Sequence, residues 1–194
     1  MTSVIDHLLT QRVPFVVLPA PQARSPREAA EAHGVDVAEL VRTEVIVTTG
    51  GPVAVVIRSG DRFELALARG AVRDAVARMA TASEIHELAR ECDVDALPPL
   101  SAYLFAPVYV DAPVAALEQI VFPAGRSSAL VCTRRADLFQ AQPVTVAALS
   151  GASQPAAPVL SVIAPSRRVV LTDAELVPAH MREGSPGGGA LRSA

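Results

Sequence analysis

Two runs of β-branched residues, joined by a pair of glycines, constrain the fold of this chain more than any other feature of its sequence. The first run spans residues 41–49 and the second spans 52–58, with Gly50-Gly51 between them. Two strands separated by a two-residue glycine turn form an antiparallel hairpin, because glycine adopts the positive φ angles that such turns need. The sequence therefore predicts a β-hairpin over 41–58.

Short strand-like and helix-like segments alternate irregularly along the rest of the first 149 residues. Strands are predicted at 13–18, 107–110, 120–122, 129–133 and 144–146, and helices at 4–9, 25–33, 36–40, 65–76 (after a strand end), 81–90, 112–117 and 136–142. Ser25 and Thr81 each precede a glutamate by three residues, which is the capping-box pattern of a helix start. Regular βαβ units and repeats are absent from the sequence pattern. The predicted class is therefore mixed α/β (α+β), with a curved, mixed, largely antiparallel and barrel-like sheet flanked by short helices.

The composition changes near residue 147. Residues 1–149 are predicted to form one domain, and 150–158, rich in Ala, Ser, Gly, Gln and Pro, to form a linker. A partly ordered extension is expected at 159–183. The glycine-rich end, 184–194, is predicted to be disordered.

Charge and composition exclude several classes of protein. The chain has 194 residues and a net charge of −3, so it has no general attraction for nucleic acid, and any RNA contact must be local. No apolar run approaches the roughly 18 residues that a membrane span needs. The two cysteines make neither a disulfide framework nor a metal set, and the start of the chain lacks a signal-peptide pattern. These features predict a soluble, cytoplasmic protein that binds no DNA, no membrane and no cofactor.

Two motifs come close to known catalytic patterns and fail them. The segment His86-Glu87-Leu88-Ala89-Arg90 lacks the final histidine of the zinc pattern His-Glu-x-x-His, so no metal site is predicted. Ser127 lies in a near match to the hydrolase elbow Gly-x-Ser-x-Gly, with Asp173 and His180 as conceivable partners. That elbow needs a following helix, whereas a strand is predicted here, which disfavours a serine nucleophile.

Several segments, taken in order, carry a resemblance to a known family. They are 25–35, 40–47, 51–61, 82–88, 97–101, 107–111, 120–125 and 135–138. In that order they resemble the opening helix, the key strand, the next strand and turn, an acidic helix, the Pro-Phe loop, a further strand, the Ala-Gly turn and the closing helix of YbaK-type aminoacyl-tRNA deacylases. This family includes free-standing editing proteins and the editing insertion of bacterial prolyl-tRNA synthetases. The resemblance implies a mixed, barrel-like sheet with flanking helices.

The resemblance also implies a reaction and a partner. Members of the family hydrolyse the ester that joins a wrong amino acid to the terminal adenosine of tRNA, so the expected partner is a tRNA acceptor end that carries an amino acid. Water attacks an ester that is already activated, and main-chain N–H groups stabilise the oxyanion. The implied oxyanion loop is 96–101, in which Ala96, Pro98, Pro99 and Ser101 are expected to contact substrate.

The other implied substrate contacts come from two further segments. They are Thr43 on the key strand and the turn residues Gly125, Arg126, Ser127 and Ser128. The implied catalytic residue is at position 42.

The sequence departs from the family pattern at the catalytic position and in the loop. Arg42 stands where the family has a lysine, and the chain contains no lysine at all. A guanidinium stays protonated and is bulkier than an ammonium. Ala96 and Ser101 replace the flanking glycines of the loop, and Leu100 replaces its phenylalanine. The sequence therefore leaves two hypotheses open: a deacylase that acts in trans with Arg42 as its source of charge, or a catalytically inactive protein that binds charged tRNA, a nucleotide or a protein partner.

Overall fold

The computed structural model describes residues 3–151, which form a mixed α/β fold. The helices are Val4–Thr10 (α1), Pro26–Ala32 (α2), Leu65–Val72 (α3), Ala82–Leu88 (α4), Ser101–Leu104 (α5), Ala112–Ala115 (α6) and Arg135–Gln140 (α7). The strands are Phe15–Pro19 (β1), Val41–Thr48 (β2), Gly51–Arg58 (β3), Arg62–Phe63 (β4), Arg78–Met79 (β5), Val108–Asp111 (β6), Gln119–Pro123 (β7), Ala129–Arg134 (β8), Val144–Ala147 (β9) and Ser150–Gly151 (β10). Most of the predicted linker, the extension and the tail lie outside the described residues, so the domain boundaries stay predictions.

The predicted hairpin is confirmed and forms the centre of the larger sheet. β2 pairs antiparallel with β3 from Val41↔Arg58 to Thr48↔Gly51, and Gly51 has a φ of +116° at the turn. The five-stranded sheet has the order β5-β2-β3-β6-β9, in which the β3–β6 and β6–β9 pairs are parallel. A three-stranded antiparallel sheet has the order β1-β8-β7, and β10 pairs with β4. The mixed, largely antiparallel class is confirmed, but the sheets do not close into a barrel.

The local start signals of the helices are largely confirmed. Ser25 caps α2 by accepting a hydrogen bond from the N–H of Glu28, and Thr81 forms a complete capping box with Glu84 at α4. The predicted helix over 36–40 is wrong. The Asp36 carboxylate accepts from the N–H of Ala38 and holds these residues in turns, because a short acidic side chain competes with helical bonding.

The two faces of the β2–β3 hairpin belong to different buried clusters, because successive side chains of a strand point to opposite faces. One face, with Val41, Val45 and Val56, belongs to the main core, which also contains Leu97 and Leu100. The opposite face belongs to a second cluster, which we call the α3 cluster. Its buried residues are Ile46, Val53, Val55, Ile57, Ala68, Ala77 and Leu149. Neighbouring residues of β2 are therefore directed to different environments.

A buried carboxylate anchors the last described strand. Asp111, at the end of β6, is 1% exposed, and its Oδ1 accepts hydrogen bonds from the N–H of Leu149 at 2.8 Å and of Ala112 at 3.1 Å. Its Oδ2 accepts from the hydroxyl of Ser150. These bonds place β10 beside β4, so ordered contacts continue into the first residues of the predicted linker. No helix within residues 3–151 is long and apolar enough to cross a membrane.

Candidate functional site

Arg42 is held by its own hairpin and by the turn that follows it. Its Nε donates to Oε1 of Glu44 at 2.9 Å, and its two terminal nitrogens donate to the carbonyl oxygens of Ser59 at 2.6 Å and Asp61 at 3.0 Å. Three of the five guanidinium N–H groups are thus engaged. Along β2, Arg42 alternates with the residues that face the main core, so it lies on the side of the α3 cluster.

Thr43, the next residue, lies on the face that belongs to the main core. It pairs with Val56 and is 8% exposed. Its Oγ1 is the one buried side-chain oxygen or nitrogen without a hydrogen-bond partner among the described residues. An unpaired buried hydroxyl costs about 1–3 kcal/mol, so a native structure that keeps one has a candidate ligand contact at that position.

The loop 96–101 is buried, and most of its N–H groups are already engaged. Every residue from Ala96 to Leu100 is buried. The N–H of Ala96 donates to the carbonyl of Asp93, that of Leu100 to the carbonyl of Pro98, and that of Ser101 to Oε1 of Gln142. Pro98 and Pro99 have no N–H to offer. Within residues 3–151, the N–H of Leu97 is the one N–H of this loop that has no acceptor.

Gln142 clamps this loop from outside. Its Oε1 accepts from the N–H of Ser101 at 2.7 Å, and its Nε2 donates to the carbonyl of Pro99 at 2.7 Å. One side-chain amide thereby replaces two main-chain partners for a segment that forms no strand pairing. The clamp fixes where the loop ends and where α5 begins.

Replacing Gln142 with alanine is expected to lower the free energy of unfolding by about 1–3 kcal/mol, because Ser101 and Pro99 both lose a partner. Hydrogen exchange at the Ser101 amide should accelerate more than exchange in β2. Gln142→Glu is the matched control, since a carboxylate still accepts from Ser101 but cannot donate to Pro99. Unchanged stability and Ser101 exchange in Gln142→Ala would show that the clamp does not hold the loop.

The structure brings Asp93, three residues before this loop, against the Ala-Gly turn. The N–H of Asp93 donates to the carbonyl of Gly125 at 2.9 Å, and Oδ2 of Asp93 accepts from the N–H of Ser127 at 3.2 Å. Gly125 has a φ of +89°, and a Cβ there would lie 3.1 Å from Sγ of Cys92. The turn therefore requires glycine for both its backbone conformation and its close approach to Cys92.

The remaining turn residues differ in exposure. Arg126 is exposed, whereas Ser127 and Ser128 are half-buried. The carbonyl of Ser128 accepts from the N–H of Ala20 at 2.7 Å, which ties the turn to the end of β1. The predicted loop and turn are thus neighbours, but Arg42 lies on the opposite sheet face from the core that contains the loop.

Two titratable groups lie between the loop and the turn, and neither suits acid–base or nucleophilic chemistry at neutral pH. The Sγ of Cys92 lies 3.7 Å from the hydroxyl of Tyr103. Burial raises the pKa of the Cys92 thiol, and burial likewise raises the pKa of Tyr103 to about 12. Since the thiolate is the reactive form of cysteine, burial of Cys92 disfavours a nucleophilic role for it.

The described residues contain neither a cluster that could hold a metal ion nor the strand–serine–helix elbow of a serine hydrolase. No group of three or more His, Cys, Asp or Glu residues within 3–151 is arranged to hold a metal ion. Ser127 is followed by β8 rather than by a helix, as the sequence predicts. Its conceivable partners Asp173 and His180 lie outside the described residues.

A family model supplies the identification that the geometry does not give by itself. The model of the aminoacyl-tRNA editing domain matches residues 20–141, which include β2, the loop 96–101 and the turn 125–128. The chain belongs to the aminoacyl-tRNA editing domain family. The resemblance deduced from the order of sequence features is therefore confirmed at the level of the family. No curated protein sequence matches the chain.

Solved structures show the same fold. A candidate trans-editing enzyme for prolyl-tRNA synthetase is 25% identical, with a TM-score of 0.67, and the match covers 77% of this chain and 96% of that one. A hypothetical protein is also 25% identical, with a TM-score of 0.69 and coverage of 76% and 99%. A scaffold protein used for computational epitope grafting is 22% identical, with a TM-score of 0.66 and coverage of 77% and 95%, which shows the fold alone.

No sequence motif marks the two side chains that fix the loop and the turn of this editing domain. Gln142 lies just beyond the residues that the family model matches, and Asp93 is one of several acidic residues around the loop. Neither carries a motif. Both act through contacts with segments more than 30 residues away, which no local pattern signals.

Proposed function

We propose that this editing-domain protein hydrolyses, in trans, the ester bond of a mischarged tRNA. The family membership and the likeness to a candidate trans-editing enzyme support this reaction class. The water oxygen attacks the ester carbonyl and forms a tetrahedral oxyanion. The carbon–oxygen bond to the ribose then breaks, the ribose oxygen takes a proton that originates from the water, and a free amino acid and a deacylated tRNA leave.

The buried Thr43 hydroxyl is the observation that carries this proposal. It lies on the sheet face of the main core, which also contains Leu97 and Leu100 of the loop. A hydroxyl can both donate and accept, so a polar atom of the substrate would remove the cost of leaving it unpaired. In our proposal Thr43 binds the aminoacyl group, and the N–H of Leu97 contributes to the oxyanion site.

The other loop and turn residues have supporting roles in this proposal. The N–H groups of Ala96 and Ser101 hold the loop rather than the substrate, while Pro98 and Pro99 shape it. The turn Gly125–Ser128, with exposed Arg126, seats the acceptor end. A catalytic charge from Arg42 stays a prediction of the sequence.

A second function, binding without catalysis, is favoured by two specific observations. Among residues 3–151 the loop has one N–H group without an acceptor, where an oxyanion site commonly uses two donors, and the Arg42 guanidinium is bound to its own turn. A protein with these features could hold charged tRNA and leave the ester intact. Turnover separates the two functions directly.

The decisive experiment is deacylation of a panel of mischarged tRNAs, including alanyl and seryl esters, by the wild type and by Thr43→Val. We expect turnover by the wild type on at least one ester and a 10- to 100-fold lower kcat/KM in Thr43→Val, roughly the loss of one hydrogen bond at 1.4 kcal/mol per tenfold. The same variant should unfold at an equal or higher temperature, because valine fills the site without an unpaired hydroxyl.

Thr43→Ser is the matched control, because it keeps the hydroxyl and removes only a methyl group. It should retain most of the turnover. Absence of turnover on every ester would favour the binding protein. Full turnover by Thr43→Val would remove Thr43 from the site while leaving the reaction intact.

A further inference from the structure

Phe105 is the most exposed large hydrophobic residue in the described part of the chain. Its exposure is 81%, compared with 70% for Val76, the next in rank. The whole chain has five phenylalanines, two tyrosines and no tryptophan. A single exposed apolar side chain is common, so the exposure of Phe105 has weight only together with its backbone conformation.

The backbone at Phe105 is also unfavourable for this residue type. Phe105 ends α5 in the left-handed conformation, with φ of +48° and ψ of +36°. A residue with a Cβ is disfavoured there, and glycine would avoid both the strain and the exposed ring. Arg12 and Arg73 also have a positive φ, but their charged side chains are well solvated by water. Two local costs thus coincide at one aromatic residue, which marks it as a candidate functional position.

Hydrogen bonds to Ser101 fix the backbone that carries the Phe105 ring. The N–H groups of Phe105 and Ala106 both donate to the carbonyl of Ser101, and Leu104 beside them is fully buried. Ser101 is in turn held by Gln142. Phe105 is therefore connected to the loop 96–101 through Ser101, and its ring is exposed to solvent.

The segment that carries Phe105 has no charge that would repel a nucleic acid. Residues 96–110 contain no charged side chain, although the chain as a whole has a net charge of −3. A phosphate backbone can therefore approach this segment without meeting a carboxylate from it. The nearest exposed residues in sequence, Ala102 and Pro107, are small, so the segment offers one flat ring instead of a broad apolar face.

We propose that Phe105 is a stacking platform for an unpaired base at the 3′ end of the tRNA. The inference rests on the proposed function for the identity of the RNA. Stacking of bases on aromatic side chains is how proteins commonly bind single-stranded RNA, and it needs no base-specific hydrogen bonds. A base held at Phe105 would place the end of the acceptor strand near the loop.

The test is the affinity of the full chain for an uncharged acceptor-stem RNA hairpin with a single-stranded 3′ end. Phe105→Ala and Phe105→Leu should both raise Kd by about 5- to 150-fold, since neither side chain can stack. Phe105→Trp should retain the affinity. It also introduces the chain's first tryptophan, whose fluorescence should be quenched as the base stacks on it. Val76→Ala, at the next most exposed large hydrophobic position and outside residues 96–110, should leave Kd unchanged.

Each result decides for or against stacking. Wild-type affinity in Phe105→Ala, or tryptophan fluorescence that does not change at saturating RNA, would overturn the inference. Affinity retained by Phe105→Leu but lost by Phe105→Ala would also overturn it, and would point to an apolar contact with the RNA that does not require stacking. Failure of the wild type to deacylate any ester, together with weakened RNA binding by Phe105→Ala, would reject the proposed hydrolysis and keep the stacking role.

Discussion

Replacing Arg42 with alanine is expected to lower the free energy of unfolding by about 1–3 kcal/mol, because the carbonyls of Ser59 and Asp61 and the carboxylate of Glu44 each lose a donor. The side chain is 32% exposed, so water replaces part of what is lost, and the figure stays below that of a fully buried ion. The urea concentration at the unfolding midpoint measures this change, provided that the m-value is the same in the variant and the wild type.

Arg42→Lys tests whether charge alone is enough. A lysine keeps the positive charge, but its ammonium cannot match the planar fork that reaches three acceptors, so we expect a loss of stability close to that of alanine. Arg27→Ala is the control, because Arg27 forms an exposed helical ion pair with Glu31 and should change stability by no more than about 0.5 kcal/mol.

Deacylation by the same variants, assayed well below their unfolding temperatures, separates structure from chemistry. Because the guanidinium is engaged by its own turn, we expect the deacylation rate of Arg42→Ala to stay within about threefold of the wild-type rate. A threefold change corresponds to less than about 1 kcal/mol of activation free energy. Loss of turnover in folded Arg42→Ala would instead support the catalytic role that the sequence predicts. A gain of turnover in Arg42→Lys would show that the scaffold can use a lysine at this position.

Asp111→Ala should have the largest effect on stability, lowering the free energy of unfolding by about 3–5 kcal/mol. Its carboxylate is 1% exposed and accepts hydrogen bonds from Leu149, Ala112 and Ser150. Removing it leaves these donors facing a cavity and releases β10 from β4. Urea unfolding again provides the measurement, and proteolysis after residue 148 should accelerate in parallel.

Asp111→Asn is the matched variant for this site. Its amide oxygen can still accept from Leu149, and the Ser150 hydroxyl can rotate to accept from the new NH2 group. We therefore expect a smaller loss, about 1–2 kcal/mol. A stability of Asp111→Ala within 1 kcal/mol of the wild type would mean that β10 contributes little to the domain.

The sequence by itself determined those features that depend on neighbouring residues. The Gly50-Gly51 turn sets the hairpin, and the Ser25 and Thr81 caps set two helix starts, because turns and caps are satisfied within three or four residues. The order of such local features was also enough to predict the family, which the family model confirms over 20–141.

Only the tertiary structure decided how the candidate site is assembled. Strand alternation implies that Arg42 and Thr43 point to opposite faces, but packing decided that Thr43 enters the main core and Arg42 joins its own turn. Gln142 reaches a loop 41 residues away, and Asp111 reaches Leu149 38 residues away. Such contacts arise when distant segments bury their polar groups together, and each buried group takes the partner that the fold brings to it.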